Sequence, residues 1–172
     1  MTIGTWLHLL RVVHIYAAIV LVGEIIMNTT VLMPALRRIP PAHSAVVSGK
    51  IGYGLMTEGG SAVVLLGITG FVRAYLKGQL PHLFSTQVFG NPYLGWMALM
   101  VVAWMGLAIT ATISNLWYTG ILTQKMPYSA GLRDLEERRA SQERISRYQD
   151  RLAYVNLTLS LLAALGGAMA TF

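Results

Sequence analysis

Four stretches of this chain, at about 6–36, 52–76, 93–123 and 152–171, are apolar and long enough to cross a lipid bilayer. A hydrocarbon core of about 30 Å takes roughly 20 helical residues. Backbone in lipid has no water to bond with, so a span must be a helix or part of a closed barrel. Predominantly apolar runs of this length specify helices. The first three run past 20 residues, which implies tilt or extension beyond the lipid. Of 172 residues, 55% are hydrophobic and only 12% charged, where a water-soluble domain carries about 25% charged residues. The expectation is an all-α integral membrane four-helix bundle, a single domain over 1–172.

The basic residues orient it. With four spans, the 1–2 and 3–4 connections share one side. They hold Arg37, Arg38, Lys50, Lys125, Arg133, Arg138, Arg139, Arg144, Arg147 and Arg151, ten of the 13 lysines and arginines. Only Arg11, Arg73 and Lys77 fall toward the other face. The bias of positive charge toward the cytoplasm then places both loops inside and the N- and C-termini outside. A bacterial inner (cytoplasmic) membrane is the expected location. The net charge of +6 is explained by topology and contact with anionic lipid, so no nucleic-acid partner is implied. The first run is too long for a signal h-region and lacks a basic leader and a small-residue cleavage site, so it reads as a span. With no cysteine in the sequence, disulfides and thiolate-held metals are excluded.

Local signals refine this frame. Span 1 ends at Arg37-Arg38, and Pro40-Pro41 stop the helix, while Pro34 is a candidate kink. Span 2 carries Gly52, Gly54, Gly59, Gly60, Gly67 and Gly70, small residues that let helices or a flat cofactor approach the backbone. Tyr93 and Trp96 at one end of span 3, and Trp117 and Tyr118 at the other, suit the two membrane interfaces. The charged segment at about 130–150, capped by Ser129 after Pro127, predicts a cytoplasmic helix running on into span 4. Two readings of that helix stand: a solvated extension, or a docking surface for a protein partner subunit, with homo-oligomerisation a further option.

Ionisable side chains inside a membrane cost roughly 2.5–3.5 kcal/mol each on insertion scales, so each is a functional hypothesis. His8, Arg11 and His14 fall in the outer part of span 1. Arg73 and Lys77 close span 2 on the same side, His82 follows in the outer loop, and Met97 and Met100 begin span 3 there. Imidazole and thioether suit haem iron or copper better than hard cations. At about 100° per residue Arg11 lies between His8 and His14 in both angle and height. That is a suitable place for an arginine to hold a haem propionate, with Arg73 for the second. His8 and His14 lie about 9 Å apart along one axis, so they cannot grip one iron from opposite faces. His14 is the first candidate axial ligand, with His8, His82 or Met97 the candidate second. Each residue has a plainer reading: Arg11 snorkelling from a helix end, a histidine bonding between helices, methionines as packing. Deeper, Glu24 and Asn28 share one face of span 1 and Glu58 enters span 2 from the cytoplasmic side. These three are a candidate proton or polar path, or else interhelical hydrogen bonders.

The run WLHLLRVVHIYAAIVLVGEIIMNTTVLMPALRR resembles the first helix of the copper resistance D (CopD) family and the HemJ-type protoporphyrinogen oxidases, with His14, Gly23 and Pro34 at the matching places. LLGITGFVRA, with Thr69-Gly70, is similar to their second helix. Val20, Leu21 and Val22 stand where a tryptophan is usual, and LGWMALM lacks the early lysine of HemJ-type helix 3. The resemblance implies a four-helix bundle with a haem-type role for His14. The leading expectation is a haem b-binding membrane protein acting in electron transfer, as a subunit of a larger redox complex more readily than as a stand-alone enzyme. The rivals are a CopD-like copper-handling or transport protein, a cofactor-free structural accessory subunit, and a HemJ-like oxidase.

Overall fold

A computed structural model describes residues 3–118 and 132–170. The described chain is helical, with no strand among its residues. In order it forms α1 (Ile3–Met27), a π-helical segment (Asn28–Leu32), α2 (Met33–Leu36), α3 (Pro41–Leu76), α4 (Leu80–Leu83), a 3₁₀ turn (Thr86–Phe89), α5 (Pro92–Tyr118) and α6 (Leu132–Met169). Four segments are long and apolar enough to cross a membrane: Ile3–Leu36, Lys50–Leu76, Pro92–Ser114 and Asp150–Met169. They overlie the four expected spans. Residues 119–123 of the third run, the proposed Ser129 cap and the start of the charged helix lie outside the described residues. From Leu132 onward that helix does continue unbroken into the fourth span.

Pro34 explains the break in span 1. Its ring would collide with the carbonyl of residue 30, and it has no N–H to donate. The chain widens into π-helix just before it, and Pro34 then sits in the first turn of α2, where its missing N–H leaves no bond unmade. The helix continues instead of stopping until the Arg37-Arg38 turn. Pro41 opens α3 in the same first-turn position.

Successive helices pack antiparallel, and the packing closes a cycle: α1 on α3, α3 on α5, α5 on α6, and α6 back on α1. Contacts along the pairs keep one register. His14 meets Thr69 and Gly70, and ten residues further along α1 Glu24 meets Gly59. On α5, Trp104 Nε1 donates to the Val63 carbonyl at 3.0 Å, its ring lies over Gly67, and it meets Phe71 edge-on at 5.7 Å between centroids. Thr110 donates to Asn156 across α5–α6, and Leu159 covers Gly106. Leu21, Ala62, Val63 and Leu107 form the buried centre, with Ile25, Leu66, Trp104, Ala108 and Leu159 around it.

Lipid tails are as apolar as leucine, so helix association in a bilayer depends on close backbone approach and interhelical hydrogen bonds. Many large side chains lie outward. Leu9, Val12, Tyr16 and Ile19 of α1, and Val64, Ile68 and Tyr75 of α3, are exposed in the chain and face the lipid. At one end Arg37 pairs with Asp150 at 2.6 Å, tying the end of the first span to the start of the fourth. The hydrogen bond and charge of Asp150 raise the pKa of Arg37 above its ordinary value. Arg37 is exposed, so salt screens this pair.

Candidate functional site

The end of the molecule where α1 begins, α3 ends and α5 begins is here termed the proximal end. The His14 imidazole is half-buried there between α1 and α3. Its Nδ1 lies 2.7 Å from Thr69 Oγ1. Thr69 is buried, and its hydroxyl lies 2.6 Å from the Leu65 carbonyl. Gly70 lets the ring in: a Cβ at that position would stand 3.2 Å from His14 Cε1. A small residue is needed at 70 because the two helices meet with the imidazole between them.

Beside this histidine are two arginines. Arg73, one turn beyond Thr69, lies within electrostatic range of His14, Arg11 and Tyr93. Its Nε is buried with no hydrogen-bond partner, and no described carboxylate pairs with either Arg11 or Arg73. Tyr93 is held in turn by Gln79, whose Nε2 donates to the phenol oxygen at 3.1 Å. The end of α3 and the start of α5 are thereby pinned together. The result is a half-buried imidazole with two guanidinium groups nearby and, among the described residues, no carboxylate paired with them. In hydrocarbon surroundings that imbalance is costly unless something anionic completes it.

The fold thus brings together Arg11, His14 and Arg73 of the residues expected to act. The three candidates for a second ligand occupy different surroundings: His8 is exposed on α1, His82 is exposed on α4, and Met97 is buried near the start of α5. Among the described residues no three His, Asp or Glu side chains gather closely enough to hold a bare metal ion.

Ten residues deeper, the Glu24 carboxylate rests on Gly59, where a Cβ would stand 2.8 Å from Oε2. That oxygen is buried without a hydrogen-bond partner, and Glu58 lies within electrostatic range. Glu58 is at one end of a shallow groove between α1 and α3 that runs past Ser61, Ala17 and Tyr16 to Val12. Asn28 opens the π-helical segment on the same helix, and the neighbouring Thr29 hydroxyl is buried and unpartnered. Because the atom crowding Gly59 is the end of a flexible side chain, Gly59→Ala should be tolerated. The thermal midpoint is expected to hold or rise slightly, since alanine favours a helix interior by about 1 kcal/mol over glycine. A drop in midpoint would mean that Glu24 has nowhere else to go.

Sequence reasoning did not reach the roles of Thr69, Gly59 and Trp104 against these partners. Comparison with known proteins adds no assignment: no protein-family model, curated protein or solved structure matches the chain.

Proposed function

We propose that this chain is a four-helix membrane bundle with both termini outside that binds haem b at its proximal, outer end. Its work is electron transfer, within a larger redox assembly of a bacterial cytoplasmic membrane. The observation that carries this reading is the buried, unpartnered Nε of Arg73 beside Arg11 and His14. A haem b presents what that site lacks: two carboxylates for the arginines and an iron for the imidazole. The porphyrin also supplies four of the metal's ligands, so one or two protein side chains suffice. A bare copper ion needs its whole shell from the chain, which is why haem ranks above copper here.

In this reading His14 would ligate the iron, and Arg11 and Arg73 would hold the propionates by charge-assisted hydrogen bonds. When bound, haem supplies a one-electron couple. Thr69 and Gly70 seat the imidazole between α1 and α3. Glu24 and Glu58, with Asn28 nearby, form a polar path in the opposite half through which a proton can move to offset charge. The resemblance of the first two helices to CopD and HemJ-type proteins, at His14, Gly23, Pro34 and Thr69-Gly70, supports the same assignment.

The test is the reduced-minus-oxidised optical spectrum of the full chain purified from membranes. Soret and α bands are expected at up to one haem per chain. In Arg73→Gln the same bands should persist with haem affinity lower by about 10- to 100-fold. That factor corresponds to losing a charge-assisted hydrogen bond of about 1.5–3 kcal/mol. Stoichiometric copper without haem would give the site to the CopD-like reading. Neither metal nor haem would leave a structural accessory subunit.

A further inference from the structure

The environment of His14 points to more than proximity. A neutral imidazole carries its hydrogen on one ring nitrogen, and only the other can bind a metal. Thr69 has a single hydroxyl proton. With Oγ1 2.6 Å from the Leu65 carbonyl on its own helix, that proton has an acceptor one turn back, the usual bond for a threonine inside a helix. The Thr69 oxygen is then left to accept, and the group in place to donate is His14 Nδ1 at 2.7 Å. The Thr69 oxygen asks for an N–H and, with its proton engaged, does not offer one. The Thr69 side chain is 4% exposed, so water does not compete for the bond.

We infer that Thr69 is a positioning residue that holds His14 in the Nδ1–H form and so presents the Nε2 lone pair as the ligand atom. This deepens the haem reading and rests on it for its purpose, but the tautomer itself can be observed without haem. Metal-ligating histidines donate their other ring N–H to a fixed acceptor, which sets the ring's orientation and raises its basicity. Here the acceptor is a threonine oxygen kept in the accepting role by its own helix. Gly70 complements it by leaving no side chain to push the ring off that bond. Serine at 69 should do the same work. Valine, of matching shape, should not, because it removes the accepting oxygen together with the hydroxyl's bond to the Leu65 carbonyl.

The test uses the full chain in lipid nanodiscs with 15N-labelled histidine, before and after addition of haem. His14→Gln identifies the resonances. At a pH where the ring is neutral, the native protein without haem is expected to show His14 Nδ1 protonated and Nε2 bare, and Thr69→Ser should match it. Thr69→Val should lose this preference and bind added haem about 10- to 100-fold more weakly, the usual loss when the partner of a ligating histidine is removed. It should also shift the midpoint potential, while Thr69→Ser restores both. A protonated Nε2 in the native protein, or an unchanged tautomer in Thr69→Val, would overturn the inference. A native protein with the Nδ1–H tautomer that binds no added haem would leave Thr69 as the holder of the ring and sink the haem reading instead.

Discussion

His14→Ala is expected to abolish haem binding while the protein remains folded in the membrane. Removing the acceptor of a ligating histidine already costs about 10- to 100-fold in metal affinity, so removing the ligand should cost more than about 100-fold. The arginines alone would then hold only the propionate edge. The fold should survive because the deletion strands no donor. Thr69 keeps its own bond to the Leu65 carbonyl, and the half-buried ring leaves space at Gly70 that lipid or neighbouring side chains can fill. His43→Ala, at an exposed position near the start of α3, is the control for losing a histidine. Added imidazole separates the remaining explanations: His14→Gly should regain haem in millimolar imidazole if a ligand was lost, and should not if the site collapsed. Retention of a full complement of haem by His14→Ala would falsify the assignment of this residue.

The spans were legible in the sequence because hydropathy over twenty residues is a property of composition, and lipid makes composition decisive. The charged helix before span 4 was legible for a similar reason: its opposite charges three and four apart support a helix without tertiary help. The clustering of His14 with Arg11 and Arg73 follows once successive spans are placed antiparallel, since depth in the membrane then replaces sequence separation. Rotation was the limit. Depth says that Thr69 and His14 lie at one level, but which face of α3 meets α1 is set by the packing of Gly59, Ala62 and Thr69-Gly70 along one stripe. Span 2 holds so many glycines that composition does not single out that stripe. The equal spacing of His14 to Glu24 and of Gly59 to Thr69 was a usable signal, ten residues in both helices, but it takes one observed contact to recognise it. Pro34 marks an irregularity that the sequence does locate: the chain widens into a π-helical turn just before it, and helix then runs on to Leu36.

Neighbouring glycines in α6 should respond with opposite sign to the same substitution. A Cβ on Gly166 would stand 2.8 Å from the Trp96 carbonyl oxygen and 2.9 Å from the Met100 nitrogen, both backbone atoms of α5. Neither can turn aside, so the helices must separate by several tenths of an ångström. A Cβ on Gly167 meets only the Met100 sulfur, at 3.4 Å, an ordinary contact with a flexible side chain. Alanine is favoured over glycine in a helix by about 1 kcal/mol at either position. Forcing a packed interface apart typically costs about 1–3 kcal/mol, so only at Gly166 does the clash outweigh the gain. For a domain of 150–250 residues, 1 kcal/mol moves the thermal midpoint by about 2–4 °C. Gly167→Ala should thus hold or raise the midpoint, and Gly166→Ala should lower it by a few degrees, as followed by circular dichroism in nanodiscs. In a bilayer the α5–α6 pair has no hydrophobic force between its helices to compensate for lost contact. The separation would also strain Leu159 against Gly106 and the Thr110–Asn156 hydrogen bond further along the same pair. Equal midpoints for the two variants would mean that α5 and α6 do not touch backbone to backbone at Gly166, and the register of that helix pair would have to be redrawn.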